Sequence, residues 1–259
     1  MIATKSFDIS DTVVPSYLKT PFYEGGVFLY GSNATTPKGY NIKLWNSGVR
    51  FRLARLVQAL AASFNANPNF EGIGFTETAL GEAIGIPLTL TQMENYFINL
   101  ATVNKRTREA FPSTMSFQFS NYPRWALVSL IPSLLSMGGG LGCPDVFLDE
   151  KGLITPPSDT ASAGVYLYYP QLTGQMPLVV QVEGGNYENT RHDGTGIVPT
   201  INDLLTFARD QLQVNYIFWT RIPLYSEKVL NELNLPPQTA NPEGGLKSGC
   251  PTNFKSCIN

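Results

Sequence analysis

Residues 177–185, with the sequence PLVVQVEGG, decide the fold class of this protein. The run is apolar from Leu178 to Val182 apart from one glutamine, and it ends in Glu183 followed by two glycines. A nearly continuous apolar run of this length, bounded by Pro and Gly, is typical of a strand that is buried on both faces. Such strands occur in parallel sheets that are covered by helices on both sides. The run therefore predicts one strand of a parallel α/β fold.

Further short apolar runs lie on both sides of this strand. They predict strands at 72–75 (GIGF), 115–119 (MSFQF), 145–148 (DVFL) and 215–221 (NYIFWTR), while GVYLYY (164–169) fits a strand or a helix. GGGLG (138–142) follows a predicted helix, which is the wrong order for a dinucleotide-binding loop, and we interpret it as a helix stop and a turn.

Amphipathic segments alternate with these strands. Apolar residues recur at spacings of three and four between Val49 and Phe64, after a capping Asn46 or Ser47. A second helix is predicted at about 92–109, with Thr91 and Glu94 as a capping box. A third is predicted at 124–137, where Pro132 kinks or splits it. A fourth follows at 200–212 with Thr200 and Asp203 as caps, and a short one at 225–233. Strands that alternate with helices predict a parallel α/β fold, either a (β/α)8 barrel or a doubly wound sheet.

The composition fits one domain and excludes several function classes. The 259 residues are 43% apolar and 15% charged, and 18 basic against 20 acidic residues give a net charge of −2. This balance does not supply the basic stripe of a nucleic-acid-binding protein, and no apolar run reaches the ~18 residues of a membrane span. We expect an irregular N-terminal segment at 1–45 with one strand-like run at 25–31 (GGVFLYG), βα units at 46–235 and a tail at 236–259.

The chain has three cysteines and one histidine, which argues against a zinc site. We expect neither a metal nor another cofactor. Cys250 and Cys257 lie in a turn-rich tail, where either a short disulfide loop or two free thiols fits. Low charge, many Asn and Thr residues and this tail favour an exported protein, although the first residues, MIATKSFDIS, do not have the pattern of a signal peptide.

Polar side chains follow several of the predicted strands. Functional groups of a parallel barrel lie at the carboxyl ends of its strands. Two carboxyl groups on opposite sides of a sugar can hydrolyse a glycosidic bond, and an aromatic ring can pack against the apolar face of the sugar. The candidate residues are Glu77, Asn121, Tyr122, Glu183, Tyr187 and Trp219, with Asp145 near a strand start and His192 in a loop.

Each candidate also has a purely structural interpretation. Glu183 could pair with Arg221, and Glu77 could stabilise the start of a helix. Asp145 could cap a turn, Trp219 could be a core residue on its strand, and His192 could be a solvated loop residue.

Three of these strand ends resemble those of the large clan of retaining glycoside hydrolases with (β/α)8 barrels, which includes cellulase-, mannanase- and β-galactosidase-type enzymes. The resemblance covers about residues 70–235. GIGFTETAL resembles the strand-four motif and implies Glu77 as the acid/base, and PLVVQVEGG resembles the strand-seven motif and implies Glu183 as the nucleophile. NYIFWTR resembles strand eight and implies that Trp219 floors the sugar site. This chain has Thr76 where the clan usually has Asn.

The number of residues before GIGF predicts an incomplete barrel. About 70 residues precede this strand, whereas three βα units need ~90 to 100. We therefore expect a TIM-barrel-like fold with about five to six βα units that lacks roughly its first two strands. An open barrel leaves a strand edge, which the N-terminal 45 residues or a second copy of the chain could cover.

The resemblance implies a retaining glycoside hydrolase that cleaves a β-linked polysaccharide or oligosaccharide by double displacement. A non-catalytic carbohydrate-binding barrel is the alternative, with contacts from Trp219, Tyr122 and Tyr187. A third hypothesis is another barrel enzyme, such as an esterase or a lyase, although no G-x-S-x-G motif is present. The expected partner is a carbohydrate, without nucleic acid or membrane, and a homo-oligomer is a further expectation.

Overall fold

The computed structural model describes residues 1–10, 14–241 and 244–247. The predicted pairing of Cys250 and Cys257 lies outside these residues. Strands in chain order are β1 (Lys5–Ser6), β2 (Val27–Gly31), β3 (Pro37–Ile42), β4 (Gly72–Phe75), β5 (Glu82–Ala83), β6 (Met115–Phe119), β7 (Gly140–Cys143), β8 (Leu178–Val182) and β9 (Tyr216–Trp219). Helices are α1 (Ser47–Phe64), α2 (Leu90–Ala110), α3 (Arg124–Met137), α4 (Lys151–Ile154), α5 (Tyr169–Leu172), α6 (Gly184–Glu188), α7 (Ile201–Thr206), α8 (Pro223–Leu233) and α9 (Pro236–Thr239).

Five strands form a parallel sheet in the order β4-β6-β7-β8-β9. The sheet is curled like half of a barrel. This curl brings Tyr216, at the start of β9, close to Glu71, just before β4, and the Tyr216 hydroxyl donates a hydrogen bond to the Glu71 carboxylate over 2.9 Å. The rings of Phe117 and Phe218 also stack across the sheet, with centroids 5.9 Å apart. The predicted α/β class is confirmed, and the described residues do not form a complete (β/α)8 barrel.

The inner face of the curled sheet explains the glycines of its strands. Met115, Phe117 and Phe119 of β6 fill this face and form a buried cluster with Val179. A Cβ at Gly142 of β7 would lie 2.5 Å from the ring of Phe119, and one at Gly74 of β4 would lie 2.3 Å from that of Phe117. Large side chains on β6 therefore require glycines on the two neighbouring strands.

The strand predicted at 145–148 was wrong for this reason. The sequence predicts a turn at GGGLG and a strand at DVFL (145–148), whereas β7 runs from Gly140 to Cys143 and 145–148 has no regular structure. Glycine normally weakens strands, but here its lack of a side chain makes room for Phe119. As a consequence, Asp145 lies beyond the carboxyl end of β7 instead of near a strand start.

The N-terminal segment, predicted as irregular apart from a strand-like run at 25–31, forms most of a second sheet, and the predicted run contains β2. This sheet is antiparallel, in the order β1-β3-β2-β5. Ile2 adds to the edge of β4, since its N–H donates to Gly74 over 2.7 Å and its carbonyl accepts from Thr76 over 3.2 Å. The N-terminal residues thus cover part of this strand edge, which is the first of the two alternatives that the sequence left open.

The helices follow the predicted segments with local differences. Thr89 and Gln92 form the capping box of α2, in place of the predicted Thr91 and Glu94. The predicted box of Thr200 and Asp203 is confirmed at the start of α7. Pro132 lies inside the single helix α3, and the segment 164–169 is helical from Val165 onward, as a 3-10 turn that leads into α5. Within the described ranges, no helix combines the length and the apolar character that crossing a bilayer requires.

Candidate active site

A cleft of about 790 Å³ lies at the carboxyl ends of the parallel strands. The residues that follow β4, β6, β7 and β8 all reach it, as expected for a parallel sheet of this kind. Its lining includes the predicted Glu77, Asn121, Tyr122, Asp145, Glu183 and His192, together with Lys5, Tyr30, Phe147, Glu150 and Gln181.

Glu77 follows β4, and both of its carboxylate oxygens accept a hydrogen bond. Lys5 Nζ lies 2.5 Å from Oε1, and Asn121 Nδ2 donates to Oε2 over 2.8 Å. The Glu77 side chain is 16% exposed and that of Lys5 is 5% exposed. Each carboxylate oxygen of Glu77 thus has its own donor, and one of the two donors is a cation.

Asn121 lies after β6 and connects two carboxyl groups. Its Oδ1 accepts from the backbone N–H of Tyr122 over 2.8 Å, which fixes the orientation of the amide. The Nδ2 group therefore faces the cleft, where it lies 2.8 Å from Glu77 and 3.4 Å from Oδ2 of Asp145.

Asp145 lies in the loop after β7. The hydroxyl of Tyr166 donates to its backbone carbonyl, and the next residue, Val146, donates its N–H to Asn186, so the backbone is held on both sides. Burial, with smaller contributions from the charges of Glu77 and Glu183, raises the pKa of the Asp145 carboxyl to about 7. Asp145 can therefore hold a proton near neutral pH.

Glu183 follows β8 and is the most open of the three carboxyl groups. Gln181 donates to its Oε1 over 3.0 Å, and Asn186 accepts from its backbone N–H over 2.7 Å. Partial burial and then the charge of Glu77 raise its pKa, while Lys5 opposes the shift. Within the described part of the chain, Glu183 forms no ion pair with Arg221.

Lys5 is a cleft residue that sequence analysis missed. It reaches the cleft because Thr76, directly before Glu77, accepts hydrogen bonds from the backbone N–H groups of Thr4 and Lys5 over 3.0 and 3.2 Å. Its ammonium group also donates to the carbonyl of Ala79 over 2.6 Å and lies 4.6 Å from the centroid of the Tyr30 ring. No sequence signal links residue 5 to residue 77, since the contact depends on the second sheet.

Glu150 and Gln181 were also missed, although Gln181 carried a signal. It is the one polar side chain in the apolar run of β8, and its amide contacts both Glu183 and Thr220. The carboxylate of Glu150 accepts a hydrogen bond from the backbone N–H of His192 over 2.9 Å and so holds the loop that contains this histidine. The His192 ring meets Phe147 edge to face, at 5.9 Å.

Trp219 and Tyr187 do not lie in the cleft. Side chains alternate along β9, so that Phe218 faces the inside of the curled sheet and Trp219 packs with the core on the helix side. Tyr187 stacks on Tyr225 at 4.5 Å and is almost fully buried. The predicted roles of both rings in sugar binding do not match these positions, and Tyr30 and Phe147 are aromatic side chains that line the cleft.

Among the described residues, no group of three or more His, Cys, Asp and Glu side chains is arranged to hold a metal ion. Comparisons with protein-family models, with curated proteins and with solved structures give no significant match.

Proposed function

We propose that this protein is a retaining glycoside hydrolase that acts on a β-linked polysaccharide or oligosaccharide. The observation that carries the proposal is the meeting of Glu77 and Glu183 in one cleft, at the ends of two parallel strands of a curled sheet. Their charges interact strongly enough that Glu77 contributes to the raised pKa of Glu183. Paired carboxyl groups with different surroundings are what glycosidic bond hydrolysis requires.

In this proposal Glu183 is the nucleophile that attacks the anomeric carbon. It is the most exposed carboxyl group of the three, which leaves it accessible to a sugar. A second carboxyl group donates a proton to the leaving oxygen and later activates water. The family resemblance gives this second role to Glu77. Asn121, Tyr122 and His192 offer hydrogen-bonding groups to sugar hydroxyls from the cleft wall.

The test is the release of reducing sugar from β-glucans, xylan and mannan by the wild type, by Glu183→Gln and by a matched control, Glu188→Gln. Glu188 is exposed and lies five residues further along. We expect release by the wild type and by Glu188→Gln, and none above background by Glu183→Gln. NMR of the first product should show the β configuration, because two displacements restore it.

Activity that persists in Glu183→Gln would contradict the assignment of the nucleophile. Binding of an oligosaccharide by the folded wild type, without hydrolysis and unchanged in Glu77→Gln, would favour the alternative of a carbohydrate-binding protein. An initial product of inverted configuration would replace double displacement by a single displacement.

A further inference from the structure

The three carboxyl groups of the cleft differ in how their charge is compensated. Glu77 has a lysine ammonium group at 2.5 Å and an amide donor at 2.8 Å. Glu183 has an amide donor at 3.0 Å, and its side chain is more exposed to solvent than those of the other two. Asp145 has the side-chain amide of Asn121 at 3.4 Å, which is a long hydrogen bond, and the N–H groups of that amide are shared with Glu77.

Three carboxylates in one cleft repel each other, and a buried charge without compensation is costly. The group with the weakest compensation keeps a proton most readily. Asp145 is this group, because Lys5 is committed to Glu77, to the carbonyl of Ala79 and to the ring of Tyr30.

In the part of the chain that the structure describes, none of the other groups that act on Asp145 is a cation. The titratable groups that act on it or lie beside it are Glu77, Cys143, Glu150, Glu183, Tyr122 and Tyr166. Each is neutral or negative near neutral pH. The raised pKa of about 7 agrees with this geometry.

We propose that Asp145, and not Glu77, is the proton donor of the cleft, whereas the ammonium group of Lys5 compensates the charge of Glu77. This assignment rests on the proposed function and changes the role that the family resemblance gives to Glu77. Asp145 and Glu183 follow the adjacent parallel strands β7 and β8, and both line the cleft.

The proposed reaction has two steps. An oxygen of Glu183 forms an ester bond to the anomeric carbon as the glycosidic bond breaks, and the leaving oxygen takes the bond's electron pair and the proton of Asp145. The Asp145 carboxylate then removes a proton from water, whose oxygen bonds to the anomeric carbon while the ester bond breaks. Asp145 is protonated again and Glu183 is free.

The activity test compares Asp145→Asn with Glu77→Gln on aryl β-glycosides of a sugar that the wild type cleaves. A proton donor matters most for a poor leaving group, so we expect Asp145→Asn to lose about 10²- to 10⁴-fold in kcat/KM on a phenyl glycoside and far less on a dinitrophenyl glycoside. Azide should restore turnover of the dinitrophenyl substrate by Asp145→Asn and give a glycosyl azide, because azide needs no general base. The same leaving-group dependence and azide rescue in Glu77→Gln, and not in Asp145→Asn, would overturn the proposal.

A second measurement needs no activity. Difference infrared spectra of the wild type between pH 5 and pH 9 should show the C=O band of a protonated carboxyl group that titrates near pH 7. The band should shift when the aspartate side chains carry ¹³C, and it should be absent from Asp145→Asn. No such band in the folded wild type overturns the proposal whatever the activity. A band at Asp145 in a protein without glycosidase activity refutes the proposed function and supports the proton assignment alone.

Discussion

The ammonium group of Lys5 lies 2.5 Å from a carboxylate oxygen of Glu77, although 71 residues separate them in the chain. Lys5 belongs to the antiparallel N-terminal sheet and Glu77 follows the first strand of the parallel sheet. The contact therefore joins the two sheets at the cleft. It is largely buried, so its partners depend on each other more than those of a surface pair do.

Replacing Lys5 by Met should destabilise the fold by about 3 kcal/mol, because the Glu77 carboxylate would stay buried without its cation. Urea unfolding measures this change. The double variant Lys5→Met with Glu77→Gln should recover most of the loss, since no unpaired charge remains. Additive losses in the two single variants would show that the pair is not coupled.

The proton on Asp145 predicts how stability depends on pH. The unfolded chain releases this proton near the ordinary pKa of 3.8, whereas the folded chain holds it up to about pH 7. Between these values the folded state binds more protons, so the free energy of unfolding should fall as the pH rises through this window, in total by roughly 4 kcal/mol.

Urea unfolding at pH 4, 5, 6 and 7 tests this dependence. Asp145→Asn should make the curve flatter in this range. Asp203→Asn is the matched control, because hydrogen bonds from Thr200 lower the pKa of Asp203 and its contribution is lost only as the pH falls below this range. An equal pH dependence in the wild type and in Asp145→Asn would contradict the raised pKa.

Alanine substitutions at Gly142 and Gly139 test the packing inside the curled sheet. Gly142→Ala should cost about 1–3 kcal/mol, because its Cβ would lie 2.5 Å from the Phe119 ring. Gly139→Ala should cost little or nothing, since the nearest atom to its Cβ would be at 3.5 Å. Thermal unfolding of both variants measures the difference, and equal losses would argue against this packing. Adding Phe119→Leu should recover part of the loss in Gly142→Ala.

The edge of β4 should attract other chains once it is uncovered. Deleting residues 1–3 removes Ile2 but keeps Lys5, and it leaves the carbonyl of Gly74 and the N–H of Thr76 without their partners. We expect self-association that increases with concentration, measured by size-exclusion chromatography with light scattering. Deleting Met1 alone, which is 63% exposed, is the control. A folded, monodisperse product of the longer deletion would show that this edge needs no cover.

Much of the parallel sheet could be predicted because its signals are local. GIGF, MSFQF and the apolar run of β8 are short, apolar and bounded by polar or turn residues, and each forms a strand. The strand β7 could not be predicted in this way, since its glycines are explained by Phe117 and Phe119 on the neighbouring strand. Of the antiparallel sheet, the apolar run at 25–31 predicted β2, whereas the pairing of the strands was missed because β1, which is two residues long, has its partners more than 30 residues away.

The candidate site was predicted where position along the strand was enough. Glu77, Asn121 and Glu183 follow strands, and the parallel topology brings them into one cleft. The position of Trp219 could not be predicted in this way, because it depends on which face of β9 is turned inward. A difference of one residue along a strand changes the face.

The sequence by itself determined the α/β class and the carboxyl groups that follow the strands, because apolar periodicity and strand ends are properties of neighbouring residues. Only the tertiary structure decided how the charge of each of these groups is compensated. The compensation of a carboxylate depends on donors within a few ångströms, and for Glu77 and Asp145 these are Lys5 and Asn121, which come from distant parts of the chain.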